Sequence, residues 1–238
     1  MSKDEWLTAI GMTVDEIPEK IILEGTWWHK ERYPVRLEYL TKVRELKFPD
    51  MYLGEYDGSK VMFCCAYGAP RAVEPVHIFG VLGTKKVIQI GSCGGLQPNI
   101  QTGDIVIPTT YFIGEGASQY YGQLVSSTAT QGLVESADRA LINLGLTTFI
   151  GEHISTSALL QQSDEMVEKW QQRGLLGVDM ETSAVYSAAE YFKMQRVSML
   201  FVWDELLNRR TWLDEFSATE TLKQSEANRS IFEVALKL

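Results

Sequence analysis

The stretch VIQIGSCGGLQPNIQTGDIVIP, residues 87–108, decides how the rest of the chain is read. It opens on VIQI, a short and mostly apolar run of the kind found in strands buried on both faces. The run ends at Gly91 and passes through Ser92, Cys93, Gly94 and Gly95. Small residues let backbone N–H groups come close to an anion, and the carboxyl ends of strands are where α/β sheets bind ligands. On spacing alone the same glycines also fit a plain tight turn. The stretch is neither GxGxxG nor a P-loop followed by Lys, so it carries no dinucleotide or nucleoside-triphosphate fingerprint.

Working outward, similar runs occur at Lys20–Leu23, Lys60–Ala66, Lys86–Ile90, Asp104–Ile107 and Val197–Val202, each bounded by Gly, Pro or charged residues. Helical patterns lie between them. Pro75–Leu82 reads as a short buried helix, and Gln131–Leu144 carries Leu133, Ala137, Ala140, Leu141 and Leu144 at helical spacing. Asp164–Gln172, the Ala-rich Glu181–Phe192 and the closing Ala218–Leu238 complete the set. Strands alternating with helices predict an α/β fold with helices on the sheet faces. No repeat, low-complexity segment or linker interrupts the chain, which reads as a single domain over residues 1–238.

The balance of 45% hydrophobic and 22% charged residues is that of an ordinary globular protein. A formal net charge of −9 repels phosphate backbones and argues against nucleic acid as a partner. The three cysteines, Cys64, Cys65 and Cys93, include an adjacent pair that cannot close an ordinary disulfide. No CxxC or Cys/His spacing is present, so no metal site is expected and the chain reads as reduced and cytoplasmic. The opening MSKDEWLTAI is charged, with no apolar signal core. No apolar run approaches the ~18 residues of a membrane helix, so no membrane partner is expected.

Two further stretches carry candidate chemistry. In GLLGVDMETSAVYSAAEYF, residues 174–192, Asp179 and Glu181 bracket Met180 where a strand-like VDM meets a helix. Each carboxylate can accept two hydrogen bonds from the vicinal hydroxyls of a sugar; equally, both fit the positive end of the helix dipole. In SMLFVWDELLNRR, residues 198–210, Asp204 follows a strongly apolar run. An acid at a strand's end is placed to deliver a proton, and a capping role fits the same position. His29, His77 and His153 lie far apart, and GxSxG is absent, so no Ser-His-Asp hydrolase is read. Trp27 and Trp28 fit core or interface packing before they fit a base-stacking wall.

Together the three stretches, in their order and spacing, resemble the nucleoside phosphorylase family of purine nucleoside phosphorylases, uridine phosphorylases and related nucleosidases. KKVIQIGSCGGLQPNIQTGDIVIP resembles the central strand and glycine loop, GLLGVDMETSAVY the Met-Glu sugar motif, and FVWDEL the segment of the catalytic aspartate. The resemblance implies a three-layer α/β/α sandwich around a mixed, partly barrel-like sheet, assembled as a homo-oligomer, dimer or hexamer. It implies a small-molecule nucleoside as substrate, inorganic phosphate as possible co-substrate, and no organic cofactor or metal. Glu181 would hold the ribose hydroxyls and Met180 would pack on the sugar, with Val178 and Asp179 beside them. Asp204 would protonate the departing base, aided by Lys223, with Arg209 and Arg210 as rivals for that helper. Ser92, with the backbone of Cys93 and Gly94, would hold phosphate or a water. Leu159 and Trp203 fall at the base site.

The same comparison exposes departures. The family's phosphorylases carry Arg before the glycine loop, where this chain has Gln89. Their G-x-P-x-R phosphate motif is here GTWWH, keeping Gly25 but replacing the arginine with His29. Neither replacement offers arginine's forked, permanent charge. Lys30, Arg32 and Arg71, or Lys47 from a neighbouring copy, are the cations at hand to compensate; each alone reads first as solvated surface charge. Three readings stay open: phosphorolysis of a purine-like nucleoside, hydrolysis by water, and nucleoside binding without catalysis.

Overall fold

The computed structural model describes residues 1–211 and 213–238. Its strands are β1 (Lys20–Gly25), β2 (Thr41–Glu45), β3 (Met51–Tyr56), β4 (Ser59–Ala66), β5 (Lys86–Gly95), β6 (Ile105–Gly114), β7 (Ser126–Thr128), β8 (Thr148–Thr156), β9 (Gly177–Asp179) and β10 (Gln195–Glu205). The helices are α1 (Lys3–Ile10), α2 (His29–Leu37), α3 (Ala69–Leu82), α4 (Gln131–Asn143), α5 (Asp164–Gln172), α6 (Thr182–Tyr191) and α7 (Ala218–Lys237). The strand order β10-β6-β8-β9-β5, with β5 pairing back onto β10, closes a barrel, and β1, β4, β3 and β2 extend from β5 as an open wing. Pairing is mixed: β4–β1–β5–β10 run parallel, whereas β9 meets β5 and β6 meets β10 antiparallel.

Side-chain alternation explains the layers. Ile21 and Leu23 of β1, Met62 and Cys64 of β4, and Leu200 and Val202 of β10 face a core built with α1, α3 and α6. Their neighbours Ile22, Val61, Phe63, Cys65, Met199 and Phe201 face the opposite core, built with α2, α4 and α7. A strand's period of two sends successive residues to opposite faces, so a continuous apolar run fills both. A smaller cluster of Leu96, Ile154, Val167, Trp170, Leu175 and Val178 docks α5 beside the barrel. This is the expected three-layer α/β/α sandwich with a partly closed sheet.

Helix α3 is longer than its sequence reading, beginning at Ala69 instead of Pro75. Pro70 sits in the first turn, where its missing N–H breaks no helical bond, and Pro75 is tolerated inside the helix at the loss of one. Helix α7 ends on two lysines from the sheet: Lys20 Nζ donates to the Ala235 carbonyl at 3.2 Å and to that of Leu236, and Lys86 Nζ donates to that of Leu238. Cations there satisfy last-turn carbonyls and oppose the helix dipole. Among the described residues, no helix is long and apolar enough to cross a membrane.

α3 and α6 pack with Gly80 at their contact, where an added Cβ would stand 2.4 Å from the Phe192 ring. A rigid ring cannot yield like a flexible side-chain tip. Gly80→Ala should therefore cost about 1–3 kcal/mol, the range of overpacked cores, and lower the Tm by roughly 2–4 °C per kcal/mol. Thermal unfolding by circular dichroism reads this directly; an unchanged Tm contradicts the packing described.

Candidate active site

The parallel strands β1 and β5 end side by side, with Gly25 in register with Gly91. An added Cβ on Gly91 would lie 3.0 Å from the Gly25 carbonyl oxygen, so neither position has room for bulk. Beyond these ends opens a cleft of about 890 Å³, measured out to its mouth. Gly25, Ser92, Cys93, Gly94, Val178, Asp179, Met180, Glu181, Leu159, Trp203 and Asp204 all line it.

Strand β9 brings the acidic motif to the glycine loop. Val178 pairs with Gly94 of β5 on one side and Ile154 of β8 on the other. Gly177 permits the approach, since a Cβ there would meet the Gly94 carbonyl oxygen at 2.8 Å. The Glu181 side chain then reaches back over β1. Its Oε1 accepts the Gly68 N–H at 2.7 Å, and its Oε2 lies 2.6 Å from where a Gly25 Cβ would stand. Gly68 has φ 80°, so the N–H that meets Glu181 comes from a backbone conformation glycine favours. Burial pushes the Glu181 carboxyl up to about 8, and the charge of Asp179 adds to the rise.

Asp179 lines the same cleft but its carboxylate is engaged. Oδ2 accepts the Thr182 N–H at 3.0 Å, the Thr182 hydroxyl and the Gln89 amide at 3.3 Å, and Oδ1 accepts from the Ser155 hydroxyl at 2.5 Å. Four donors leave little capacity for a sugar, so its geometry matches the helix-terminus role, with α6 beginning at Thr182. Burial raises Asp179, and these hydrogen bonds oppose the rise.

Asp204 is re-aimed by a bulge. In the β10–β5 ladder Val202 pairs with Cys93 and Asp204 with Gly94, leaving Trp203 as the extra residue. A Gly94 Cβ would stand 2.7 Å from the Leu206 side chain and 3.3 Å from Asp204 Oδ1, so glycine lets both close in on the loop. Burial holds the Cys93 thiol well above its ordinary value, with Asp179 and Asp204 adding, so it stays protonated. Phe201, Trp203, Tyr67, Trp27, Trp28 and Leu159 supply apolar lining. Trp27 and Tyr67 stand 4.7 Å apart between ring centroids, and the Tyr67 hydroxyl donates to the Met180 sulfur at 3.1 Å.

Several expected residues lie elsewhere. Gln89 is fully buried, its amide donating to Asp179 and its oxygen accepting from Ser198 at 3.1 Å, so it serves the core beneath the site. His29 and Arg71 face an adjoining hollow with Asp50 and Tyr33. His29 Nδ1 sits 3.2 Å from the Trp27 carbonyl, and Arg71 pairs with Glu74 while donating to the Pro49 carbonyl at 2.9 Å. Lys30 does not line the cleft; Lys47 packs over Gly11 of its own chain, while the Lys47 expected at the site is a neighbouring copy's. Lys223 covers Gly103 beside Asp104, so the assignment of a base-site helper to it does not match its position. Its rivals are also committed elsewhere: Arg209 pairs with Asp164 at 2.9 Å, and Arg210 pairs with Glu220. Among the described residues, the cation that lines the cleft is Arg32. Beside it sits Glu24, which the sequence reading passed over; a lone acid inside the apolar KIILEG run was its signal.

The family model described as the phosphorylase superfamily matches residues 31–235. The chain belongs to the phosphorylase superfamily. Among curated relatives of this superfamily member, the DeoD-type purine nucleoside phosphorylase of Geobacillus kaustophilus is 26% identical, over 96% of this chain and 95% of its own. The DeoD-type purine nucleoside phosphorylase of Caldanaerobacter subterraneus is 25% identical, over 83% of this chain and 88% of its own. The crystal structure of a uridine phosphorylase from Vibrio fischeri superposes with a TM-score of 0.81 at 22% identity, covering 94% of this chain and 92% of that one. That likeness is one of fold.

The raised Glu181 carboxyl has a consequence for stability. Its ordinary value is 4.5 and its folded value about 8, so between them the folded state binds the extra proton. Its stabilising contribution is complete below the ordinary value and is lost as pH rises through the folded one. The Tm should therefore fall between pH 5 and 8 more steeply in the native protein than in Glu181→Gln, which has no proton to lose. Parallel Tm profiles contradict the assignment.

Proposed function

We propose that this protein cleaves the N-glycosidic bond of a purine-like nucleoside by phosphorolysis, releasing the free base and ribose 1-phosphate. The observation that carries the reading is that Glu181 and Asp204, distant in sequence, line one cleft with Ser92 at the ends of β5 and β10. In this reading the ribose 2′- and 3′-hydroxyls donate to Glu181, which binds them best when ionised. Asp204 gives its proton to a ring nitrogen of the base as the C1′–N bond breaks. A phosphate oxygen held beside Ser92 and Gly25 then forms the new bond to C1′. The glycosidic electron pair leaves with the base, and protonation spares it a full negative charge. Holding both partners in one cleft supplies the orientational share of the rate. The second substrate is phosphate itself, and the chemistry draws on no organic cofactor. The purine class is supported by Asp204 and the DeoD-type relatives. The exposed Trp27 and Trp28 on the rim support a homo-oligomer whose neighbour covers them; light scattering reads its mass.

A second reading takes water as the acceptor. It is favoured by Gln89 and His29, which stand where the family has arginines and do not line the cleft. A nucleoside panel assayed with and without phosphate separates the two: turnover indifferent to phosphate removes the phosphorolytic reading. Asp204→Asn should lower kcat by about 10²–10⁴-fold, the usual share of a positioned acid, with nucleoside binding little changed. Glu181→Ala should weaken ribosides far more than free bases. Equal losses for both ligands would assign Glu181 to structure alone.

A further inference from the structure

Glu24 is 2% exposed at the end of β1, where two guanidinium groups from one face of α2 meet it. Arg36 grips both carboxylate oxygens, Nε to Oε2 at 2.8 Å and Nη2 to Oε1 at 3.1 Å. It also donates to the Asn228 carbonyl at 3.1 Å and to the Asn228 side-chain oxygen, so its fork is committed. Arg32 brings Nε within 3.2 Å of Oε1, yet this nitrogen has no hydrogen-bond partner. Two cations thus share one anion, and the group carries surplus positive charge. The Arg36 side chain is 3% exposed and that of Arg32 26%, and Arg32 lines the cleft. The surplus is presented there. Burial lowers the Arg32 pKa, the Glu24 charge opposes this and Arg36 adds to it; a guanidinium stays charged throughout.

The position of that charge selects a ligand. Gly25, next to Glu24, pairs with Gly91, whereas Asp204 pairs with Gly94 further along β5. Arg32 therefore belongs to the Gly25 end of the cleft, where Glu181 rests, and not to the Asp204 end assigned to the base. His29, at the family's arginine position, precedes Arg32 by three residues on α2 and turns toward the adjoining hollow. We propose that Arg32 is the oxyanion-binding residue of this cleft and holds inorganic phosphate beside Gly25 and Ser92, with Glu24 and Arg36 fixing its guanidinium. The proposal deepens the phosphorolytic reading and rests on it for the identity of the anion.

The test is calorimetric titration of the full-length protein with inorganic phosphate, comparing native, Arg32→Met, Arg32→Lys and His29→Ala forms, alongside the phosphate KM of each. Arg36 still neutralises Glu24 in the Arg32 variants, and unchanged nucleoside affinity checks that they fold. Removing charge-assisted hydrogen bonds should weaken phosphate binding by about 10- to 100-fold in Arg32→Met. Arg32→Lys should fall between, since an ammonium keeps the charge without the fork, and His29→Ala should bind as the native protein does. Native-like phosphate binding in Arg32→Met, or none in the native protein, overturns the proposal. So does a loss confined to a nucleoside 5′-monophosphate with inorganic phosphate unaffected, which would place the anion on the substrate. Turnover that ignores phosphate, with phosphate binding still lost in Arg32→Met, removes the reaction while leaving the anion site. Phosphate-dependent turnover with a native-like KM in Arg32→Met does the reverse.

Discussion

The Glu181 carboxyl is held between the Gly68 N–H and the bare Cα of Gly25, and the geometry of the cleft follows from that contact. A buried acid needs donors or it takes up a proton. Here the Gly68 N–H is one donor and the Met180 backbone a second, and burial still leaves the carboxyl raised. The glycines at 25, 91 and 94 are required by close approach, to Glu181, to the Gly25 backbone and to Leu206 and Asp204, and Gly68 by its positive φ.

Charge is distributed along the cleft in an order that matches the chemistry proposed for it. At one end the Glu24–Arg32–Arg36 cluster carries excess positive charge; at the other Asp204 sits against Gly94. Asp179, on β9, is occupied by Ser155, Thr182 and Gln89, and its charge adds to the rise of the Glu181 carboxyl. Replacing an arginine by Gln89 suits this arrangement: a neutral amide bridges Asp179 and Ser198 in a place with no solvent to hydrate a cation.

Much of the fold was legible in local pattern. The strands of the central parallel set read as apolar runs because both their faces are covered. What escaped had weaker local signals. β9 spans only Gly177–Asp179, so the strand-like VDM shows in the sequence but not its pairing with β5 and β8. α2 carries Pro34 and a polar surface, so no apolar stripe marks it in the sequence, although Arg32 and Arg36 share a face. α1 has its Ser2–Glu5 capping box in the sequence, but the segment is charged and carries little apolar periodicity.

The sequence by itself determined the α/β class, the family and the small set of acids able to act, because motifs whose order and spacing are dictated by strand ends survive in the one-dimensional pattern. The tertiary structure decided which of those groups meet. It set Asp179 into hydrogen bonds, moved Lys223 to the Gly103 edge, and turned His29 away while bringing Arg32 in. The bulge at Trp203 likewise sets Asp204 against Gly94, and helix phase along α2 sets Arg32 against Glu24. Such contacts join residues far apart along the chain, and no local pattern encodes them.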